Sequence, residues 1–339
     1  MNKYTDILNK LENNRVKQYG ENILLIDSMN TFIRNFSTLK SLNPGGHHVG
    51  GLLGFLRSLG FLVRTFDPTR VICVFDGKGG SMNRKNVDPN YKANREHVKV
   101  TNWGLFENIK EERESMTAQI ERLFDYLECL PVYVSVHDKI EADDIISFLA
   151  QKFASKGHRS TIVSSDQDFY QIVDKQTSIY APIKKKVIDH TNVVEIIKVL
   201  PSNYGIVKAL VGDNSDNLPG VKGVGIKTIV KEFPKLVTEE NVDLQYIYDI
   251  SEQQIEGKKI FSRIIYDWDK VERNYGLMNI RTPRLSEGEM ETILYNLQAQ
   301  KPMLREGSFL KYMDIDRIEN ITNNTDGWLS LFSYLNSGK

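Results

Sequence analysis

Hydrophobic residues in the first two hundred positions come in short unbroken runs, several of them closed by an acid. Ile23-Leu24-Leu25-Ile26 ends at Asp27, and Val71-Ile72-Cys73-Val74-Phe75 ends at Asp76. Residues 131–136 form a third, β-branched run, and residues 159–163 form a fourth that leads into Ser165-Asp166-Gln167-Asp168. Apolar runs of this length without polar alternation are the pattern of strands buried on both faces, as in parallel sheets. Between them the apolar positions recur at three- and four-residue steps, over 31–42, 49–66, 111–130 and 142–153. That period is helical, so the chain reads as an α/β fold with a parallel central sheet flanked by helices. Residues 178–188 read as a β-ribbon around Lys184-Lys185-Lys186, and from Pro201 the strand pattern stops. The expected division is a core over residues 1–200 and a mainly helical region over 201–339.

Bulk composition adds limits. A chain of 339 residues, 40% hydrophobic and 26% charged, has the make-up of a soluble globular protein of one large or two smaller domains. No apolar run approaches the roughly 20 residues that span a bilayer. Residues 1–20 are polar with no apolar signal-peptide centre, and Cys73 and Cys129 stand alone in apolar surroundings. Both features lead us to expect an intracellular, cytoplasmic location with reduced thiols. Lys+Arg and Asp+Glu are both 44, so the net charge is zero, and charge has to be read locally.

The acids then change the picture. Glu141, Asp143 and Asp144 open the helical pattern after the third run, and Asp213 and Asp216 lie in a loop just past the expected boundary. Any one acid at a strand end or helix start is also an ordinary turn former or dipole complement. Acids repeated at four strand ends point further, because ligands of open parallel sheets bind beyond the strands' carboxyl ends. Oxygen ligands without His or Cys suit Mg²⁺ or Mn²⁺. The number of carboxylates favours two ions, the arrangement that stabilises both attacking and leaving oxygens in a phosphoryl displacement.

Two further stretches bear on nucleic acid. Gly220-x-x-Gly223-x-Gly225 lacks the preceding strand of a dinucleotide loop. It fits better as a hairpin between helices that offers backbone amides to phosphates, with Lys222, Lys227 and Thr228 beside them. Arg84, Lys85, Lys92, Arg95 and Lys99 fall in a polar stretch after Asp76, with Tyr91 and Trp103 as stacking faces. By composition that stretch is also a plain solvated loop.

Glu-Ala-Asp-Asp at 141–144, Ser-Asp-Gln-Asp at 165–168 and Gly-Asp-Asn-Ser-Asp-Asn-Leu-Pro-Gly-Val-Lys-Gly-Val-Gly at 212–225 resemble the motifs of the flap endonuclease family of 5′-nucleases. The likeness is in the style of the phage RNase H or 5′-exonuclease branch and of the 5′-nuclease domain of bacterial DNA polymerase I. Tyr91-Lys92-Ala93-Asn94-Arg95 is similar to the Tyr-Lys-x-x-Arg of the family's helical arch. The resemblance implies a PIN-like nuclease core with a basic arch over 78–103 and a helix–hairpin–helix-like element over 212–233. It implies a metal centre of Asp76, Glu141, Asp143, Asp166, Asp168 and Asp213, completed by Asp27, Asp144 and Asp216, some of them through water. Lys92 and Arg95 then grip the scissile phosphate as catalytic residues. Arg84, Tyr91, Gly220, Lys222, Gly223, Gly225, Lys227 and Thr228 contact nucleic acid, with K⁺ on the hairpin carbonyls.

The activity so implied is a monomeric, Mg²⁺-dependent 5′→3′ exonuclease and flap endonuclease with RNase H action. It would remove RNA primers and 5′ flaps from DNA and RNA–DNA hybrids in replication, beside a single-strand-binding protein or sliding clamp, in the host cytoplasm if phage-encoded. Two alternatives stay beside it. A non-catalytic DNA-binding homologue would keep the hairpin and lose acids, and a single-strand RNase would keep the acids and lack arch and hairpin.

Overall fold

Residues 20–96, 100–102 and 104–335 are described by the computed structural model, with Arg95 and Glu96 described in backbone alone. The leader before Gly20, Lys99, Trp103 and the side chain of Arg95 therefore lie outside the described residues.

Six strands form the central sheet: β1 (Asn22–Asp27), β2 (Arg70–Asp76), β3 (Tyr133–His137), β4 (Arg159–Val163), β5 (Thr177–Ala181) and β6 (Lys186–Ile188). Their order across the sheet is β3-β2-β1-β4-β5-β6. The first five are parallel, and β6 returns antiparallel as the far side of the expected ribbon. The unbroken apolar runs have the reason expected of them. In β1, Ile23 and Leu25 enter the core on one face, and Leu24 and Ile26 enter the core on the other. Ile72 and Val74 of β2 join the first core, while Val71, Cys73 and Phe75 join the second. Each such aliphatic side chain contributes about 1.5–3 kcal/mol by leaving water.

The helix Ala142–Ser155 covers the first face, and the same apolar layer continues through Ile206, Leu210, Phe233, Phe261 and Ile264. The boundary near residue 200 is thus a change in element type, across which one core is continuous. On the second face lie Ser28–Thr38, Gly50–Phe66 and Ile109–Glu128. Two late helices, Glu306–Ile315 and Thr325–Ser330, complete that layer, a docking that no motif or period in the chain announces. Trp328 packs on Phe309 and Phe332 with ring centroids at 5.4 and 4.7 Å. Gly60 makes room for it, because a Cβ there would stand 2.0 Å from Trp328 Nε1.

The chain leaves β1 toward β2 on one side and reaches β4 on the other side of β1. The gap between β1 and β4 is the sheet's switch point, where a doubly wound sheet opens a crevice at its carboxyl edge.

Candidate active site

Asp27 ends β1 at that crevice, 6% exposed, and Ser164 just beyond β4 donates its hydroxyl to Asp27 Oδ2 at 2.8 Å. Asp27 also caps the helix Ser28–Thr38 by accepting from Asn30 N at 3.1 Å, so the turn-forming role is real as well. Asp76 ends β2 and accepts from Ala142 N at 2.9 Å, which fixes the start of the helix bearing Asp143 and Asp144 to the strand. Gly77 lets the chain pass β3 closely, since a Cβ there would lie 1.7 Å from the His137 carbonyl. Asp166 receives the Asp168 amide at 2.8 Å, and its own amide bonds Ser164 Oγ at 3.0 Å.

The acids act on one another. Burial first, then the charges of Asp76 and Asp166, push Asp27 up to about 7, against its bonds from Ser164 and Asn30. Burial followed by the charges of Asp166 and Asp27 raises Asp143 well above the ordinary carboxylate range. Asp168 is pushed up by burial and Asp166, with Lys208 opposing. The carboxyl ends of β1, β2 and β4 therefore carry more negative charge than the protein alone can hold comfortably.

Three basic side chains already meet part of it. Arg84, 4% exposed, donates Nη1 to Glu141 Oε2 at 2.9 Å and to Asp144 Oδ2 at 2.7 Å. Its Nη2 reaches Asp144 Oδ1 at 3.1 Å and its Nε the Leu277 carbonyl at 3.0 Å. Arg84 is thus a buried counter-ion, and the expectation of a phosphate contact on an open loop is corrected. Tyr91, 2% exposed, is corrected likewise: its hydroxyl lies 3.3 Å from Glu141 Oε2, and its ring packs with Leu218, Leu277 and Met278. Asp144 also accepts from Arg284 N at 3.0 Å, so both its oxygens are engaged. Asp144, expected as a metal ligand, is the partner of Arg84 here, as Glu141 is.

Lys92 Nζ bonds Glu141 Oε2 at 3.1 Å, and Lys92 holds a left-handed backbone (φ +56°) with its amide on the Asp216 carbonyl at 2.9 Å. Asn217 Nδ2 donates to the Asn90 carbonyl at 2.9 Å, so the base of the basic stretch is tied to the 213–217 loop. This ordering sets the stretch apart from a solvated loop up to residue 94. Lys208, which sequence reasoning passed over, sits on the helix Tyr204–Val211 and bridges Asp168 (2.5 Å) to Asp213. Against burial, the Lys208 and Ser215 hydrogen bonds hold Asp213 down at about 2. Asp216 is buried, 8% exposed, within the same loop.

The donor set suits a hard divalent cation. Carboxylates crowd together, three of them raised, and Glu141 Oε1 is buried without a hydrogen-bond partner among the described residues. No three acids among the described residues gather around one point as a finished cage, and Arg84, Lys92 and Lys208 hold Glu141, Asp144, Asp168 and Asp213. Asp27, Asp76, Asp143 and Asp166 are coupled through their charges, Asp27 to Asp76 and Asp166, and Asp143 to Asp166 and Asp27.

These shifts set a pH dependence for the metal-free protein. Asp27 keeps its proton in the folded state up to about pH 7, whereas its ordinary value is 3.8. Between those values the folded state binds more protons than the unfolded one, so stability falls as pH rises and levels off above about 7. Asp143 acts in the same sense. Melting temperatures in a metal chelator should fall from about pH 5 to about pH 7.5. A flat or rising profile would show that the acids are not crowded.

The glycine segment joins the helices Tyr204–Val211 and Ile226–Glu232. Gly220, half-exposed, packs against the first of them, where a Cβ would meet the Val211 carbonyl at 2.1 Å, so only a glycine fits there. Lys222, Gly223 and Lys227 are exposed, and Gly225 and Thr228 half-exposed. Gly223 has φ +83°, and Arg263 Nη1 donates to the Lys222 carbonyl at 3.1 Å. A guanidinium thus meets a carbonyl of the loop where K⁺ is expected.

An open, mainly parallel α/β sheet with acids at its switch point and a basic segment tied over them defines a nuclease-type architecture. Comparison with known proteins gives the family. Residues 22–198 match the model of the 5′–3′ exonuclease N-terminal, resolvase-like domain. A 5′–3′ exonuclease of Bacillus subtilis is 33% identical over 219 residues, covering 62% of this chain and 68% of that protein. One from Aquifex aeolicus is 28% identical over 221 residues, covering 65% and 71%. The chain belongs to the 5′–3′ exonuclease family and is a 5′-nuclease by lineage. The flap endonuclease of bacteriophage T5, solved with DNA and metal ions, shares the fold with a TM-score of 0.63 at 18% identity, over 87% of this chain and 99% of that one.

Proposed function

We propose that the protein is a divalent-metal-dependent, structure-specific 5′→3′ exonuclease and flap endonuclease acting on DNA and on RNA–DNA hybrids, with primer and flap removal as its task. The observation that supports this most is the meeting of Asp27, Asp76, Asp143 and Asp166 at the carboxyl ends of β1, β2 and β4, with Lys92 reaching Glu141 from above. Those four acids, with Glu141 and Asp168, would hold two Mg²⁺ ions, and Mn²⁺ would substitute. Bound there, the ions supply a lowered pKa for the attacking water and charge neutralisation at the leaving oxygen. Lys92, released from Glu141, adds positive charge at the phosphate, and Lys208 keeps Asp168 and Asp213 oriented. Exposed Lys222 and Lys227 grip the duplex. No helix among the described residues is long and apolar enough to cross a membrane, and action in the cytoplasm as a monomer fits this role.

The substrate range is tested with one flap sequence made twice, with a DNA and with an RNA 5′ strand. Single-turnover cleavage of both is expected, and an untouched RNA strand would remove the RNase H part. The grip is tested separately by Lys222→Ala combined with Lys227→Ala. Duplex affinity should fall and the slope of log K against log salt should shrink by about one for each phosphate no longer engaged, with cleavage at saturation little changed. An unchanged slope would return these lysines to plain solvated surface.

A further inference from the structure

Beside the acid crevice, on the sheet's second face, lies a cavity of about 370 Å³ that the activity above does not use. Arg34, Ser58, Phe61, Tyr180, Pro182 and Lys185 line it, and no carboxylate does. Arg34 Nη1 is buried with no hydrogen-bond partner among the described residues. A guanidinium nitrogen left so is costly unless an acceptor arrives. Lys185 stands at the tip of the β5–β6 turn in a left-handed backbone (φ +50°), a conformation uncommon for a residue with a side chain. Phe61 is 51% exposed at the cavity, and its ring centroid lies 6.2 Å from that of Tyr180. Two cations and an aromatic edge in one small recess match the two halves of a nucleotide, phosphate and base.

The recess is also well placed. Its lining includes Val163, the last residue of β4, and the next residue, Ser164, bonds Asp27. Arg34 lies on the helix that starts directly after Asp27, seven residues on. That is about 10 Å along the axis, close to the rise of three nucleotides in a duplex strand.

We propose that this cavity binds one nucleotide of the nucleic-acid substrate, its phosphate on Arg34 and Lys185 and its base against Phe61 and Tyr180. The inference rests on the nuclease reading above. It assigns a subsite beside the acids, on the sheet's second face.

The test uses the full chain and a flap duplex with 2-aminopurine at successive positions, with Ca²⁺ in place of Mg²⁺ for binding. One position should respond on binding wild type, and the response should vanish in Phe61→Ala, which changes an exposed side chain and should fold normally. Arg34→Gln should weaken affinity about tenfold and reduce the salt slope by roughly 0.7–0.9. Free deoxyadenosine monophosphate, titrated against wild type and Arg34→Gln, separates a strand-borne nucleotide from a free one. If only the free nucleotide depends on Arg34, the strand-borne occupant is overturned. If wild type cleaves the flap in Mg²⁺ while neither substitution alters fluorescence, affinity or slope, the subsite is overturned and the nuclease reading stands. If wild type neither binds nor cleaves any flap, both fall together.

Discussion

Asp143→Asn is expected to lower Mg²⁺-dependent cleavage about a thousandfold while raising the melting temperature of the metal-free protein. The two effects share one cause. Asp143 stands among Asp166, Asp27 and Glu141, and burial together with their charges raises its pKa. Removing one negative charge relieves repulsion in the folded state. The same charge serves a divalent cation, and a metal ion's charge stabilisation in a phosphoryl transition state is worth several kcal/mol, which is orders of magnitude in rate. Single-turnover rates and thermal melts with and without Mg²⁺ read both signs at once. A variant that keeps more than about a tenth of the wild-type rate would remove Asp143 from the metal centre.

Arg84→Ala should be the most destabilising single change near the site, costing about 3–5 kcal/mol. The guanidinium is buried, engages both oxygens of Asp144 and one of Glu141, and ties the helix Met278 ends to them through the Leu277 carbonyl. Its loss leaves two carboxylates in a closed pocket with Lys92 and Tyr91 as the nearby partners of Glu141. Arg84→Lys should recover only part of the stability, because an ammonium cannot reproduce the two-pronged contact. Denaturant unfolding measures the cost directly. Weakened DNA binding with unchanged stability would instead support the phosphate-contact role expected from sequence.

That contrast shows where the sequence was legible. β1, β2 and β4 were readable because strands buried on both faces carry unbroken apolar runs, and their closing acids mark the carboxyl edge. Tyr91 and Arg84 were not readable, because an arginine among Asn and Lys looks solvated when its partners lie 57 and 60 residues away. Lys208 was hidden by the opposite effect: a single lysine in an apolar helix reads as the wet face, yet it points into the acids. Docking of Trp328 against Gly60 depends on a small residue in one helix and a large one in another, a pairing no local period reveals. The hairpin was legible as a break between helices, while the packed place of Gly220 became visible only in three dimensions.

These acids, loaded with a divalent cation, are proposed to cut a strand from its 5′ end or at the base of its flap. The most direct measurement is the product ladder from a 5′-labelled flap duplex and a matching nicked duplex, with Mg²⁺ and with a chelator. Short 5′-labelled products ending in 3′-hydroxyls are expected near the flap base and from the nick only when Mg²⁺ is present. Equal ladders with and without metal, or intact flaps in both, would contradict this.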